Sequence, residues 1–160
     1  MRFAAWTFWG FLVACGGTRA PDLTAWDSEV DALRLRVGDY KTKAPTTSAP
    51  ADCQHELGLY RTDMEPRLQR MRMMSGDMDN CMNAMGHRNE ADLAKNCSDM
   101  DAELARYANE GCLSADAPKN RADAEAHCGK MLEYLDLSTT RSQSMNGMMG
   151  SGMMGGGMCR

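Results

Sequence analysis

The sequence predicts an all-α protein, built as disulfide-stapled antiparallel helical hairpins or a small helical bundle, with a disordered Met/Gly-rich tail behind it. Three observations carry this. Apolar residues from Cys53 to Met85 (Cys53, Leu57, Tyr60, Met64, Leu68, Met71, Met74, Met78, Met82, Met85) recur at gaps of three or four. Their mean spacing of about 3.6 is the period of an amphipathic helix. Two cysteine pairs share one spacing across polar turns, and no run rich in β-branched and aromatic residues is long enough for a strand.

In chain order, Pro21 to Lys43 predicts a short helix with Leu23, Trp26, Val30, Leu33 and Val37 on one face, a docking or spacer element. The stretch Ala44 to Ala51 has linker chemistry, with two prolines, three hydroxyl side chains and no bulky apolar residue. The compact domain is therefore expected over residues 52–138. Its first helix should fall into two pieces, because Pro66 lacks an amide hydrogen and Ser75-Gly76-Asp77 combines a poor helix former with capping residues. A second helix is expected over about Glu90 to Cys112, with Leu93, Cys97, Met100, Leu104 and Ala108 along one side and Gly111 near its end. The third, about Asn120 to Leu137, follows a loop containing Pro118 and shows Ala122, Ala126, Gly129, Leu132 and Leu135 on one face. Residues 139–160 are read as tail.

Fifteen residues separate Cys81 from Cys97, and fifteen separate Cys112 from Cys128. The midpoints, Asn89 and Asn120, fall in or beside polar turns, so each pair should lie level across an antiparallel hairpin. Cys97 and Cys112 on one helix would stand about 22 Å apart, beyond disulfide reach. The expected bonds are Cys81 to Cys97 and Cys112 to Cys128. Cys53 and Cys159 are left over, either paired with each other or with Cys159 a thiol beside Met158. The arrangement resembles the stapled helical hairpins of small exported or intermembrane-space proteins with twin CX9C spacings, in geometry only.

At the N-terminus, Arg2 precedes the apolar run Phe3 to Ala14, too short to span a bilayer and of the length of a secretory leader. The run ends Leu12-Val13-Ala14-Cys15-Gly16, which resembles the bacterial lipobox. That resemblance implies a signal peptide over residues 1–14 and a mature chain beginning at a diacylated Cys15, held to a lipid bilayer through its acyl chains. Residues 15–51 would then be the acylated N-terminus, short helix and linker. Gly16 is not the aspartate associated with inner-membrane retention, so the resemblance points to the outer membrane of a Gram-negative bacterium, facing the periplasm. An oxidising compartment favours disulfides among the six remaining cysteines over metal thiolates. A net charge of −4 offers no basic footprint for nucleic acid.

Sulfur is the remaining signal. The chain has 16 methionines, no isoleucine, and three phenylalanines that all lie in the leader. From Met145 to Arg160 the residues are almost entirely methionine and glycine. Such a segment buries little and is costly to order, but it offers neutral soft ligands that select Cu(I) or Ag(I) over hard ions. Met145, Met148, Met149, Met153, Met154, Met158 and Cys159 form the candidate tail site. Met78, Met82 and Met85 on the helical stripe, with His87 beyond, form a second ligand set. Packing is the plainer role for the stripe, since methionine fills irregular core gaps. The tail resembles the methionine-rich segments of periplasmic copper-resistance proteins, which implies metal sequestration or transfer. The competing reading is a structural or interaction lipoprotein whose stapled helices dock a periplasmic protein. His55 and His127 read as surface or capping residues, and Asp77, Asp79, Asp99 and Asp101 as solvated surface. No catalytic motif is present, so the protein is not expected to be an enzyme.

Overall fold

A computed structural model describes residues 22–44, 49–84 and 92–150. Within them the chain forms four helices and no strand: α1 (Leu23–Lys43), α2 (Pro50–Ala84), α3 (Leu93–Glu110) and α4 (Ala117–Gly150). They run up, down, up and down. α1 and α3 each pack against α2 and α4, and α2 and α4 meet across the diagonal. One end of the bundle gathers the start of α1, the end of α2, the start of α3 and the end of α4; this is the terminal end. No described helix is long and apolar enough to cross a membrane.

α1 is a wall of the bundle, not a spacer ahead of it. Asp22 caps it by accepting from the Ala25 amide at 2.9 Å, and Trp26, Val30, Leu33, Val37 and Tyr40 are all buried. Lys41 and Lys43 sit in its last turn, where the helix dipole favours cations. The domain boundary expected near Asp52 therefore moves back to the start of α1. Glu29 pairs with Arg67 and Arg70, and Arg36 with Asp63, fixing the register of α1 on α2.

α2 is a single helix of 35 residues, against the expected break at Pro66 or Ser75 to Asp77. Pro66 faces solvent, so the Thr62 carbonyl that loses its partner is on the wet side of the helix. Ser75 is buried and satisfies its hydroxyl inside the helix, donating to the Arg72 carbonyl at 2.8 Å. The predicted stripe is the buried face: Leu57, Tyr60, Met64, Leu68, Met71, Met78 and Met82 all lie in the core.

α3 starts later than expected, because two carboxylates define its N-terminus. Asp92 accepts from the Lys95 amide at 2.8 Å, while Asp79 of α2 accepts from the amides of Leu93 and Ala94 at 3.3 and 3.0 Å. Together they satisfy donors that a helix start leaves open. Asp79 is thus a cross-helix cap and not solvated surface, and Asp101 pairs with Arg72 across the same interface.

α4 begins with Pro118 in its first turn, behind a loop held by Asn120, whose side chain accepts from the Ser114 amide and donates to its carbonyl. The buried face of α4 is Asn120, Ala124, His127, Cys128, Met131, Leu135, Ser138, Ser142 and Met145. The expected face was wrong at Ala122, Ala126 and Gly129, which are exposed. The helix also continues past Leu137 through Gly150, so residues 139–150 belong to the bundle. The rest of the expected tail, and the whole leader with Cys15, lie outside the described residues.

The disulfide within the described residues joins Cys53 to Cys112, with Cα atoms 5.5 Å apart, and neither expected pair forms. Cys97 and Cys128 are buried thiols. Helix ends explain the difference. α3 stops at Glu110, which centres the α3–α4 turn well before Asn120 and leaves Cys128 about 16 Å down α4 from its start. At the other hairpin, Asp79 stands opposite Leu93 and Ala94, so Cys97, deeper in α3, is level with Ser75. That is six residues, or about 9 Å, from Cys81. The Cys53–Cys112 bond closes 59 residues of sequence separation, which stabilises by about 4 kcal/mol in the chain-entropy model.

Two glycines should respond oppositely to alanine. At Gly111 an added Cβ would lie 2.7 Å from both the Tyr107 ring and the Tyr107 carbonyl oxygen, whereas at Gly76, mid-helix and exposed, it meets nothing within 4 Å. Gly111→Ala is expected to destabilise by about 1–3 kcal/mol and Gly76→Ala to stabilise by about 0.5–1 kcal/mol. Urea unfolding of both variants checks this; equal effects of one sign would contradict the packing described.

Candidate functional site

The structure collects part of the predicted sulfur set at the terminal end. Met78 and Met82 come from the last turns of α2, and Met145 and Met148 from those of α4. Met78 and Met145 are fully buried, Met82 is 2% exposed, and Met148 packs against the core at its rim. These thioethers fill space between helices, the plainer role expected of the stripe. Met149 lies on the last turn of α4, and Met85, His87, Met153, Met154, Met158 and Cys159 fall outside the described residues. Among the described residues no group of three His, Cys, Asp or Glu side chains comes together to hold a metal ion.

The bonded cysteines and the buried thiols differ in chemistry. Burial pushes the Cys97 thiol up to about 11 against the pull of Ser75, and the Cys128 thiol up to about 11 against that of Lys41. Both stay protonated near neutral pH, which makes them poor nucleophiles.

Further toward the opposite end, the structure shows a polar network that periodicity did not reveal. Each helix contributes one ring: Tyr40 from α1, Tyr60 from α2, Tyr107 from α3 and His127 from α4. Tyr40 stacks on Tyr60 with centroids 4.3 Å apart, and Tyr107 on His127 at 4.2 Å. The two stacks meet edge to face. The Tyr40 and Tyr107 hydroxyls are 3.0 Å apart, and Tyr40 also approaches the Cys112 sulfur. Burial raises the pKa of all three tyrosines.

Glu103 anchors this level. Its side chain is 6% exposed, yet it pairs with Arg106, His127 and Lys130. Burial alone pushes its pKa up; hydrogen bonds from Arg106 and His127 outweigh that and hold it at about 2. An ionised carboxylate only accepts, so His127 Nδ1 donates to Glu103 at 3.0 Å and Nε2 accepts from the Tyr60 hydroxyl at 3.2 Å. Burial drives the His127 pKa below the ordinary imidazole value, against the pull of Glu103. The imidazole is thus neutral, buried and fully partnered, where the sequence suggested a surface or capping residue. Its spacing from Ala124, Met131 and Leu135 was the available signal, since those gaps of three or four put it on their face.

No protein-family model, curated protein or solved structure matches the chain.

The network sets a pH dependence. His127 has a lowered folded pKa, so the unfolded chain takes up a proton first and stability falls as pH drops through about 6.5. Glu103 adds stability that is complete above its unfolded value, about 4.3, and is lost as pH falls from there toward about 2. Unfolding free energies measured by urea from pH 8 to 3 should decline in both windows. In His127→Gln the upper decline should shrink while the lower remains; an unchanged upper decline would show that His127 is not its source.

Proposed function

We propose that the protein is a lipoprotein anchored through Cys15 to the outer membrane and facing the periplasm, which binds Cu(I) or Ag(I) through its methionine-rich end for sequestration or transfer. One observation carries this reading. The last turns of α2 and α4 set Met78, Met82, Met145 and Met148 at the same end of the bundle, and the chain then continues from α4 with Met153, Met154, Met158 and Cys159 within nine residues of Gly150. Thioethers are neutral and polarisable, so such a set favours soft monovalent ions over Ca²⁺ or Mg²⁺. Because Met78, Met82 and Met145 are committed to packing, the tail supplies the first ligands and the rim at Met148 completes them.

A second reading, a structural or interaction lipoprotein, is favoured by Leu35, which is 73% exposed beside a shallow groove lined by Asp31, Arg34, Gly38, Asp39 and Thr42. In that reading the tail is a spacer.

The burial of Met145 decides where a truncation should fall. Removing residues 151–160 leaves α4 whole, and should abolish most binding of Cu(I), measured in competition with a Cu(I)-selective chelator, without loss of helical circular dichroism. Equal binding by the truncated and full chains would move the site away from the tail. No binding of Cu(I) or Ag(I) by either would favour the interaction reading.

The anchor is tested separately. Cys15→Ser should leave the precursor uncleaved or release the protein from membranes, and unchanged processing and fractionation would contradict the anchor.

A further inference from the structure

The ring layer contains a hydrogen-bonded line of three groups from three helices. The Tyr60 hydroxyl of α2 donates to His127 Nε2 of α4 at 3.2 Å, and His127 Nδ1 donates to the Glu103 carboxylate of α3 at 3.0 Å. Phenol, neutral imidazole and carboxylate in that order can pass a proton from Tyr60 to His127 while Glu103 answers the charge that forms. Tyr60 is 1% exposed and His127 0%, so no substrate reaches the phenol oxygen or the imidazole for chemistry on a bound molecule. An electron needs no such access.

We propose that Tyr60, His127 and Glu103 form a proton-coupled redox site, which holds one oxidising equivalent as a buried, neutral tyrosyl radical. The oxidant is a one-electron acceptor of high potential, an oxidised metal complex, that meets the surface of the bundle. Tyr60 gives up one electron to it. The phenolic O–H bond breaks, an N–H bond forms at His127 Nε2, and the phenoxyl oxygen accepts a hydrogen bond from the new imidazolium. The acceptor leaves reduced by one electron, and the protein carries one more positive charge, beside ionised Glu103.

The other buried rings lack a base. The Tyr40 and Tyr107 hydroxyls face each other at 3.0 Å, and a hydroxyl is too weakly basic to keep a proton. The indole nitrogen of Trp26 has no acceptor for its hydrogen. These rings instead carry the electron outward. Tyr60 stacks on Tyr40, Tyr40 meets Tyr107 edge to face, and Tyr107 lines a cleft of about 210 Å³ with Arg106, Glu110, Lys119 and Asp123. The proposal depends on neither the lipid anchor nor the methionine-rich tail.

The full-length protein is oxidised with flash-generated tris(bipyridine)ruthenium(III), followed by transient absorption, and freeze-trapped for electron paramagnetic resonance. A tyrosyl radical should form at a rate that is slowed in D₂O and independent of the concentration of buffer base, since the proton acceptor is internal. A rate that climbs with buffer base, or no tyrosyl radical, would overturn the proposal without recourse to any variant. Tyr60→Phe should lose the signal, and Tyr134→Phe should keep it, with circular dichroism confirming that both remain helical. The reverse pattern would overturn the assignment to Tyr60. His127→Gln should form the radical about 10²-fold more slowly, the low end of what a positioned proton acceptor contributes, and buffer base should restore part of that rate. An unchanged rate in this variant would remove His127 as the acceptor.

Discussion

A carboxylate inside a helical bundle is tolerated only when its charge is answered, and Glu103 is answered from two helices. Arg106 approaches from its own helix, and His127 and Lys130 from α4. The consequences spread outward. Because His127 must give its Nδ1 hydrogen to Glu103, its other nitrogen requires a donor, and the hydroxyl of Tyr60 on α2 fills that place. Tyr40 and Tyr107 then complete a layer in which every helix contributes one ring. Three of the four tyrosines in the chain are used here. Sliding any one helix by a turn would strand a buried charge or hydroxyl, so this layer, together with the Glu29 and Arg36 ion pairs, sets a register that the apolar stripes, tolerant of slippage, do not.

Much of the architecture was legible because it rests on local pattern. The stripe from Cys53 to Met82 announced α2, and Pro66 failed to break it because the proline falls on the wet face, where a lost hydrogen bond costs least. The α4 face was misread for a related reason. Ala122, Ala126 and Gly129 are at helical spacing but too small to declare a side, while the true face carries His127, Ser138 and Ser142. Those polar residues are inside because partners on other helices meet them: Glu103 and Tyr60 for His127, Asn96 for Ser138, Asp27 for Ser142. One helix's periodicity contains no record of such partners.

The candidate site divides the same way. Clustering of methionine at the chain's end was visible in composition, but the reach of α4 to Gly150 was not, since glycine and methionine look like tail until a neighbouring core claims Met145. Cysteine spacing misled because equal loops do not imply equal turns. Level pairing depends on where each helix stops, which Gly111 and the Asp79 and Asp92 caps decide. The Pro/Thr/Ser stretch was read as a boundary because its composition is that of a linker, yet it joins two walls of one bundle.

An even number of antiparallel helices has a geometric consequence. Entry and exit share one face, and α2, at 35 residues, is a rod about 50 Å long. That length separates the end bearing Met78 and Met145 from the end closed by the Cys53–Cys112 bond. A change at the methionine end is thus the length of a long helix away from the covalently locked end, so the two ends can loosen or tighten independently.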